Sequence, residues 1–387
     1  MKLALLKGNR FNPWHLQAFN RLPDAFQITA FRADSEIQRH FQERGEDRLA
    51  VPVEQIYFDT QRGPFPGRLS NRLLERFRNR EPRIRPFHDR LRGFDCIQTW
   101  ELFTDWSAQA LDAKRRHGTP VCVMVWDNIP FNMERNPRKR AIKEAVARQA
   151  DRFIVHTERS RRMLGLERVD PARVVKIGPG VDTEVFSPGP RDRARFGVGK
   201  DEFVILFVGW LLPRKGIDFL LLALRELVHD SELKDISVRL LVVGSGPGKD
   251  RVDRLVDRIG VRQQVTFAGA LPYTRMPEAF RAADVFTLPS IATPEWQEQF
   301  GMALVEAMAC GVPAVTTMTG AIPEVIGPAG VICQPSDFVS LYEALKRLIQ
   351  NPAERERLGE AGRQEALSRF ALDTYAEQLA AVYQGLV

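Results

Sequence analysis

The chain has 387 residues, 44% hydrophobic and 27% charged, with a formal net charge of +7 at pH 7. That length exceeds the roughly 250–300 residues at which a single core stops growing, so two domains are expected, and the composition excludes disordered and fibrous classes. Cys96, Cys122, Cys310 and Cys333 stand far apart without a CxxC pair, which excludes a disulfide scaffold or a zinc site built on such pairs.

In chain order, strands are predicted at 3–6, 26–31, 95–100, 121–126, 153–157 and 174–178, with helices over 104–116 and 138–149. The first apolar run, Leu3–Leu6, is too short for a signal peptide, and no stretch reaches the roughly 18 apolar residues of a membrane span. A cytoplasmic protein is therefore expected, with peripheral attachment to the cytoplasmic membrane face left open. From Phe186 to Asp201 the chain is rich in Pro, Gly and charge, and the domain boundary is drawn there, at 190/191. Beyond it, strands at 203–209, 238–244, 264–269, 284–289, 314–317 and 331–334 alternate with helices at 217–228, 252–260, 275–282 and 302–309. Helices at 338–350, 353–368 and 372–385 close the chain. The strands are apolar rather than cleanly alternating, as parallel strands covered on both faces should be. The expected fold is α/β: two Rossmann-like, doubly wound domains, 1–190 and 191–370, facing each other across a cleft. Ligands bind at the carboxyl ends of such strands, so a two-substrate enzyme leads and a bilobal binding protein is its rival.

Charge is uneven along the chain. Residues 1–190 carry 34 basic against 24 acidic groups, and 191–387 carry 22 against 25, giving +10 and −3. Between Arg68 and Arg92 stand nine arginines and three acidic residues. This tract reads either as attraction to phosphates, on an acidic membrane or a substrate, or as a solvated helix whose arginine stems lie over Leu73, Leu74, Phe77, Phe87 and Leu91. No motif for specific nucleic-acid binding is present.

The most informative segment runs from Glu298 to Val315. Phe300-Gly301 opens the helix 302–309, whose first N–H groups, at Gly301, Met302 and Ala303, have no internal acceptors and suit a phosphate. Glu298 and Glu306 flank that point. A carboxylate touching the anion would repel it, so their useful role is to accept hydrogen bonds from hydroxyls on either side of a diphosphate, as a nucleotide sugar offers. The plain alternative makes Glu306 a surface cap or ion-pair partner. After strand 203–209, Arg214 and Lys215 precede Gly216 and a helix, placing two cations at a strand end where a diphosphate would use both, unless this is only a solvated turn. The turns Gly244-Ser245-Gly246 and Gly269-Ala270-Leu271 close further strands. The first suits close backbone approach to a sugar or phosphate, and the second could present amide and carbonyl to a base edge. Neither a Walker A sequence nor a G-x-G-x-x-G turn occurs, and Gly8 stands alone after the first strand.

With FVGWLLPRKGIDFLL (207–221), VVGSGP (242–247), VTFAGALP (265–272) and EQFGMALVE (298–306) in place, the chain resembles the retaining GT-B glycosyltransferases of family 4 over nearly its whole length. That family includes sucrose, sucrose-phosphate and bacterial lipid and polysaccharide glycosyltransferases. The resemblance implies that Glu298 binds the transferred sugar, Glu306 the ribose and Lys215 the diphosphate, aided by Gly301 and Met302. It further implies that Gly8 marks a loop closing on donor and acceptor, and that a helix at 371–387 returns to the first domain. Two departures stand out. Trp210 follows Gly209 where the family often has arginine, which leaves Arg214 to supply the charge. Trp126-Asp127-Asn128 stands where a histidine is usual, which makes Asp127 and Asn128 candidates at the reacting centre by position. His156 reads mainly as a satisfied strand-end histidine.

The implied reaction moves a hexosyl unit, glucose or mannose, from a UDP- or GDP-linked donor to a hydroxyl, with a phosphate oxygen taking the acceptor's proton and Asp127 as the alternative base. No DxD triplet occurs, so Mg²⁺ is expected to be dispensable. The acceptor is a sugar, a sugar phosphate or a lipid-linked group, met by Arg10, Trp14, His15 and the 68–92 tract. A phosphorylase, a GT-B sugar-nucleotide epimerase and a non-catalytic nucleotide-sugar-binding protein remain as alternatives.

Overall fold

The computed structural model describes residues 1–8, 16–33, 50–58 and 83–387. Arg10, Trp14, His15 and residues 68–82 of the basic tract lie outside the described residues. The chain forms two compact units, Met1–His156 with Ser160–Ile177 and Ala376–Val387, and Thr157–Arg159 with Gly178–Tyr375.

The first unit is built on a parallel sheet of β1 (Lys2–Gly8), β2 (Gln27–Ala33), β3 (Val53–Ile56), β4 (Cys96–Trp100), β5 (Val121–Val125), β6 (Arg152–Val155) and β7 (Val174–Lys176), in the order β3-β2-β1-β4-β5-β6-β7. Its central strands β4 and β5 are buried at every position; β5 accordingly reads as an unbroken apolar run, while β4 also buries the polar Gln98 and Thr99. Helices α1 (Asp105–His117), α2 (Pro137–Gln149) and α3 (Glu158–Leu166) follow strands β4, β5 and β6. Thr104 starts α1 by accepting from the Ser107 N–H, and Gly118, in the left-handed conformation, ends it. Asn136 caps α2, with Pro137 at its first position. Leu6, Phe31, Ile97, Trp106, Val123 and Phe153 lie within one core.

The second unit holds β8 (Phe203–Val208), β9 (Val238–Val243), β10 (Val265–Gly269), β11 (Val285–Leu288), β12 (Ala314–Thr317) and β13 (Gly330–Cys333) in the parallel order β10-β9-β8-β11-β12-β13. Between and after them run α4 (Ile217–His229), α5 (Lys249–Arg258), α6 (Met276–Ala282), α7 (Met302–Ala309), α8 (Ile322–Ile326), α9 (Phe338–Gln350), α10 (Pro352–Arg369) and α11 (Leu372–Gln384). Phe207, Leu220, Leu224, Leu240, Val285 and Leu345 share its core. From Ala376 onward α11 belongs to the first unit, where the Tyr383 ring is fully buried and its hydroxyl donates to Gln98 Oε1 at 2.9 Å.

Every strand and helix expected from the sequence is present within a few residues. Among the described residues the added strands and α-helices are β3, α3 and α8. β3 is four residues long with only two apolar ones, α3 has nine residues of which three are arginines and only Met163, Leu164 and Leu166 are large and apolar, and α8 spans little more than one turn. Each is too short or too polar to show a period.

Candidate active site

In each sheet the strand order reverses once, between β8 and β11 in the second unit and between β1 and β4 in the first. Loops leaving neighbouring strands diverge at such a point and leave a crevice beyond the carboxyl ends. Most of the candidate residues stand there.

In the second unit β8 leads through Gly209 and Trp210 into a tight turn, Pro213–Lys215, and then α4. Gly216 joins turn and helix with φ +70°, and a Cβ there would lie 1.8 Å from the Pro289 carbonyl oxygen. The position therefore demands glycine, and the demand locks the loop after β8 onto the loop after β11. The Ile291 N–H donates to the Arg214 carbonyl at 2.8 Å and ties the same two loops together. Lys215 Nζ consequently reaches Glu298 Oε2 at 2.7 Å. The Ser290 hydroxyl donates to that same oxygen at 2.7 Å. Ser290 is held in turn through its carbonyl, which accepts from the Thr319 hydroxyl at 2.7 Å and from that of Thr317. Glu298 is 7% exposed, and its carbonyl accepts from the Ala321 N–H at 2.9 Å. The carboxylate is thus fixed from both its ends.

Gly301 stands at the mouth of α7 with φ +89°. Phe300 beneath it is buried and meets the Phe370 ring edge-on at 5.6 Å between centroids. Glu306, one turn into the helix, is buried rather than on a surface, so the capping and surface-pair alternative does not apply. The Tyr273 hydroxyl donates to its Oε1 at 3.1 Å, and burial raises its pKa to about 7 despite that bond.

The glycine turns pack on one another. The Gly244 N–H donates to the Gly269 carbonyl at 2.8 Å, and a Cβ on Gly244 would sit 1.9 Å from the Gly209 carbonyl oxygen. Gly246 is pressed similarly against the backbone of Leu211. Gly269 and Ala270 are exposed and Leu271 half-buried, with one lone pair of the Gly269 carbonyl already engaged. Trp210 is 57% exposed and brings no charge to the turn. Arg214 lies over the Trp296 ring, 4.7 Å from its centroid.

In the first unit Gly8 ends β1 with φ +100°, closely backed by the Trp106 ring. Lys7 Nζ sits 4.6 Å from the centroid of Trp100, and burial lowers its pKa to about 8, opposed by Glu101. Glu101, just past β4, adopts φ +63°. Its carboxylate accepts from the backbone N–H groups of Trp126, at 3.1 Å, and Asp127, at 3.4 Å. Burial, and then the nearby Asp127, push the Glu101 pKa up to about 8. Asp127 is buried, and burial raises its pKa against the bonds it accepts from the Ile129 N–H, at 3.2 Å, and from Asn132 Nδ2, at 3.2 and 3.0 Å. Asn128 beside it is also buried. The His156 ring lies 4.1 Å from that of Trp126, and its Nδ1 bonds the Ile177 carbonyl at 2.9 Å. Burial lowers its pKa to about 4, so Nδ1 carries the proton of a neutral ring.

Lys7, Glu101, Ser290, Tyr273 and Trp296 were not singled out by sequence. Lys7 and Glu101 end the two strands that flank a reversal, and only the strand order reveals that. Among the described residues no group of three or more His, Cys, Asp or Glu is arranged to hold a metal ion.

Two parallel α/β units, with the last helix returning to the first, define the GT-B architecture. The chain belongs to the glycosyltransferases of family 4: the model for glycosyl transferases group 1 matches residues 190–365, and that for Glycosyltransferase Family 4 matches residues 24–185. It is 34% identical over 263 residues to D-inositol 3-phosphate glycosyltransferase 1 of Catenulispora acidiphila, a match covering 65% of this chain and 61% of that relative's length. Among solved structures, sucrose-phosphate synthase from Thermosynechococcus elongatus superposes with TM-score 0.76 at 20% identity, over 100% of this chain and 99% of that one. Anabaena HepE, solved in complex with UDP-glucose, gives TM-score 0.75 at 19% identity over 100% of both chains. These two likenesses bear on the fold.

Proposed function

We propose that this chain transfers a hexosyl unit from a nucleoside diphosphate sugar to a hydroxyl acceptor with retention of configuration. The observation that carries the reading is the Lys215–Glu298 pair, fixed at the strand reversal of the second unit next to the amino end of α7. Residues 191–370 would then be the donor-binding domain. Glucose and mannose are the candidate sugars, and the HepE complex makes UDP-glucose the first donor to try.

On this reading the Lys215 ammonium exchanges Glu298 for the diphosphate, and Glu298 turns its oxygens to hydroxyls of the transferred sugar. Glu306 accepts from the ribose hydroxyls. Negative charge grows on the leaving diphosphate as the glycosidic bond breaks. Lys215, Arg214 and the amides at Gly301, Met302 and Ala303 are placed to stabilise it. The backbone around Gly209, Gly244, Gly246 and Gly269–Leu271 gives the nucleotide close approach without side chains in the way. A phosphate oxygen takes the acceptor's proton, so no strong protein base is needed, and no metal is required. Asp127, engaged with Asn132 and Ile129, organises the loop after β5 in preference to acting as a base. The acceptor is a sugar, sugar phosphate or lipid-linked hydroxyl held by the first unit, in a cytoplasmic setting.

A thermal-shift series with UDP, GDP, ADP and their sugar conjugates tests the reading. A micromolar site at millimolar ligand should raise apparent stability by about 4 kcal/mol. One nucleotide should shift the wild type selectively, and the shift should vanish in Lys215→Ala. No shift with any nucleotide would overturn the donor-site assignment.

A further inference from the structure

We infer that Trp296 is a positioning residue for the donor diphosphate, holding Arg214 and Lys215 as a paired cation clamp that takes the place of a charge at Trp210. The inference rests on the donor-site reading above. The Trp296 ring carries both cations, Arg214 at 4.7 Å and Lys215 Nζ at 5.0 Å from its centroid. Neighbouring like charges repel, and both side chains are long and rotamer-rich. An aromatic face offers each an electrostatic partner without consuming the N–H donors that a phosphate needs.

The ring itself is fixed. Thr293 and Trp296 exchange backbone hydrogen bonds, with the Thr293 N–H donating to the Trp296 carbonyl at 2.7 Å and the return bond at 3.3 Å. The small turn they form lies between Ser290 and Glu298, so the segment that aims the Glu298 carboxylate also presents the indole. Arg214 Nε is buried and meets no acceptor among the described residues, although its backbone carbonyl is anchored by the Ile291 N–H at 2.8 Å. A buried guanidinium donor without an acceptor is costly unless a ligand supplies one. An anionic oxygen on the Arg214 side of Lys215 would satisfy it. Trp210, 57% exposed, carries no cation at the position next to Gly209. The two positive charges of the site are therefore gathered on the Trp296 side of the turn.

The test compares a nucleoside diphosphate with its nucleoside, UDP with uridine and GDP with guanosine, by calorimetry on wild type, Trp296→Leu and Trp296→Phe. Leucine keeps bulk without an aromatic face, and phenylalanine keeps a face. Diphosphate affinity should fall roughly tenfold in Trp296→Leu and stay within about threefold in Trp296→Phe, while nucleoside affinity stays level in both. Equal weakening of nucleoside and diphosphate would overturn the inference, because Trp296 would then be serving the base or the general shape of the site. Unchanged diphosphate affinity in Trp296→Leu would overturn it as well. Should Trp296→Leu fail to fold, Trp296→Phe and Arg214→Gln carry the test: Arg214→Gln must weaken the diphosphate and spare the nucleoside. Failure of wild type to bind any nucleoside diphosphate would overturn the donor-site reading, and this inference with it. Binding without discrimination among the variants would overturn the inference alone.

Discussion

Lys215 and Glu306 make opposite demands on their surroundings. Lys215 Nζ lies 2.7 Å from the Glu298 carboxylate. Replacing it with alanine should reduce turnover by about 10²–10³, the magnitude seen when one donor to a developing anion is removed. Initial-rate assays with saturating donor would show it. Glu306 is buried, and burial raises its pKa from 4.5 to about 7. An unfolded chain releases that proton near pH 4.5, so between there and pH 7 the native state binds more protons than the unfolded state. The stability associated with this group is therefore full below pH 4.5 and is lost as pH rises through about 7. Glu306→Gln should gain stability relative to wild type at pH 8, by up to about 3 kcal/mol, and little or none at pH 4. It should also weaken donor binding. Urea melts at the two pH values, with a donor titration alongside, would check both halves.

At the scale of elements, the site depends on loops that approach closer than any side chain allows. Gly216 and Gly244 each leave less than 2 Å between an added Cβ and a carbonyl oxygen of the next loop, at 1.8 and 1.9 Å. Gly216→Ala should part the turn after β8 from the loop after β11, destabilise the protein by about 2–4 kcal/mol and remove the Lys215–Glu298 contact. The denaturation midpoint and the nucleotide shift should fall together. α7 is supported in the same manner, since a Cβ on Gly359 of α10 would sit 2.4 Å from the Gly311 carbonyl oxygen. A glycine on α10 thus lets that helix lie directly on the turn ending α7. These close approaches explain why the segment 298–315 combines charged, aromatic and glycine residues that no single periodic element would need.

At the scale of the whole molecule, the chain leaves its first unit, builds the second and ends in the first again. Residues Ala376–Val387 complete the N-terminal unit, and Tyr383 is their anchor, with its ring edge-on to Phe26 at 6.3 Å and its hydroxyl on Gln98. Tyr383→Ala should cost about 3–5 kcal/mol, and Tyr383→Phe about 1–2, because the Phe variant keeps the packing and leaves the Gln98 oxygen without the hydroxyl donor. Chemical denaturation monitored separately in each unit should show the loss in the first, although the mutated residue lies at the far end of the chain.

By itself the sequence determined the fold class and nearly every strand and helix, and it supplied the donor-side candidates on which the proposal rests. Those features are local: unbroken apolar runs, helical periods, and a glycine, cation or carboxylate at a strand end, each legible within about fifteen residues. Tertiary structure decided what depends on strand order. It placed Lys7 and Glu101 together because β1 and β4 are neighbours in the sheet though some ninety residues apart in the chain. It set Glu298 against Lys215, at a separation of 83 residues, through the adjacency of β8 and β11. It buried Glu306 where a surface pair was an open alternative, and it laid Trp296 under two cations. Sequence patterns record what each segment buries, whereas the partner across a sheet is fixed only when hydrogen-bonded strands close the order.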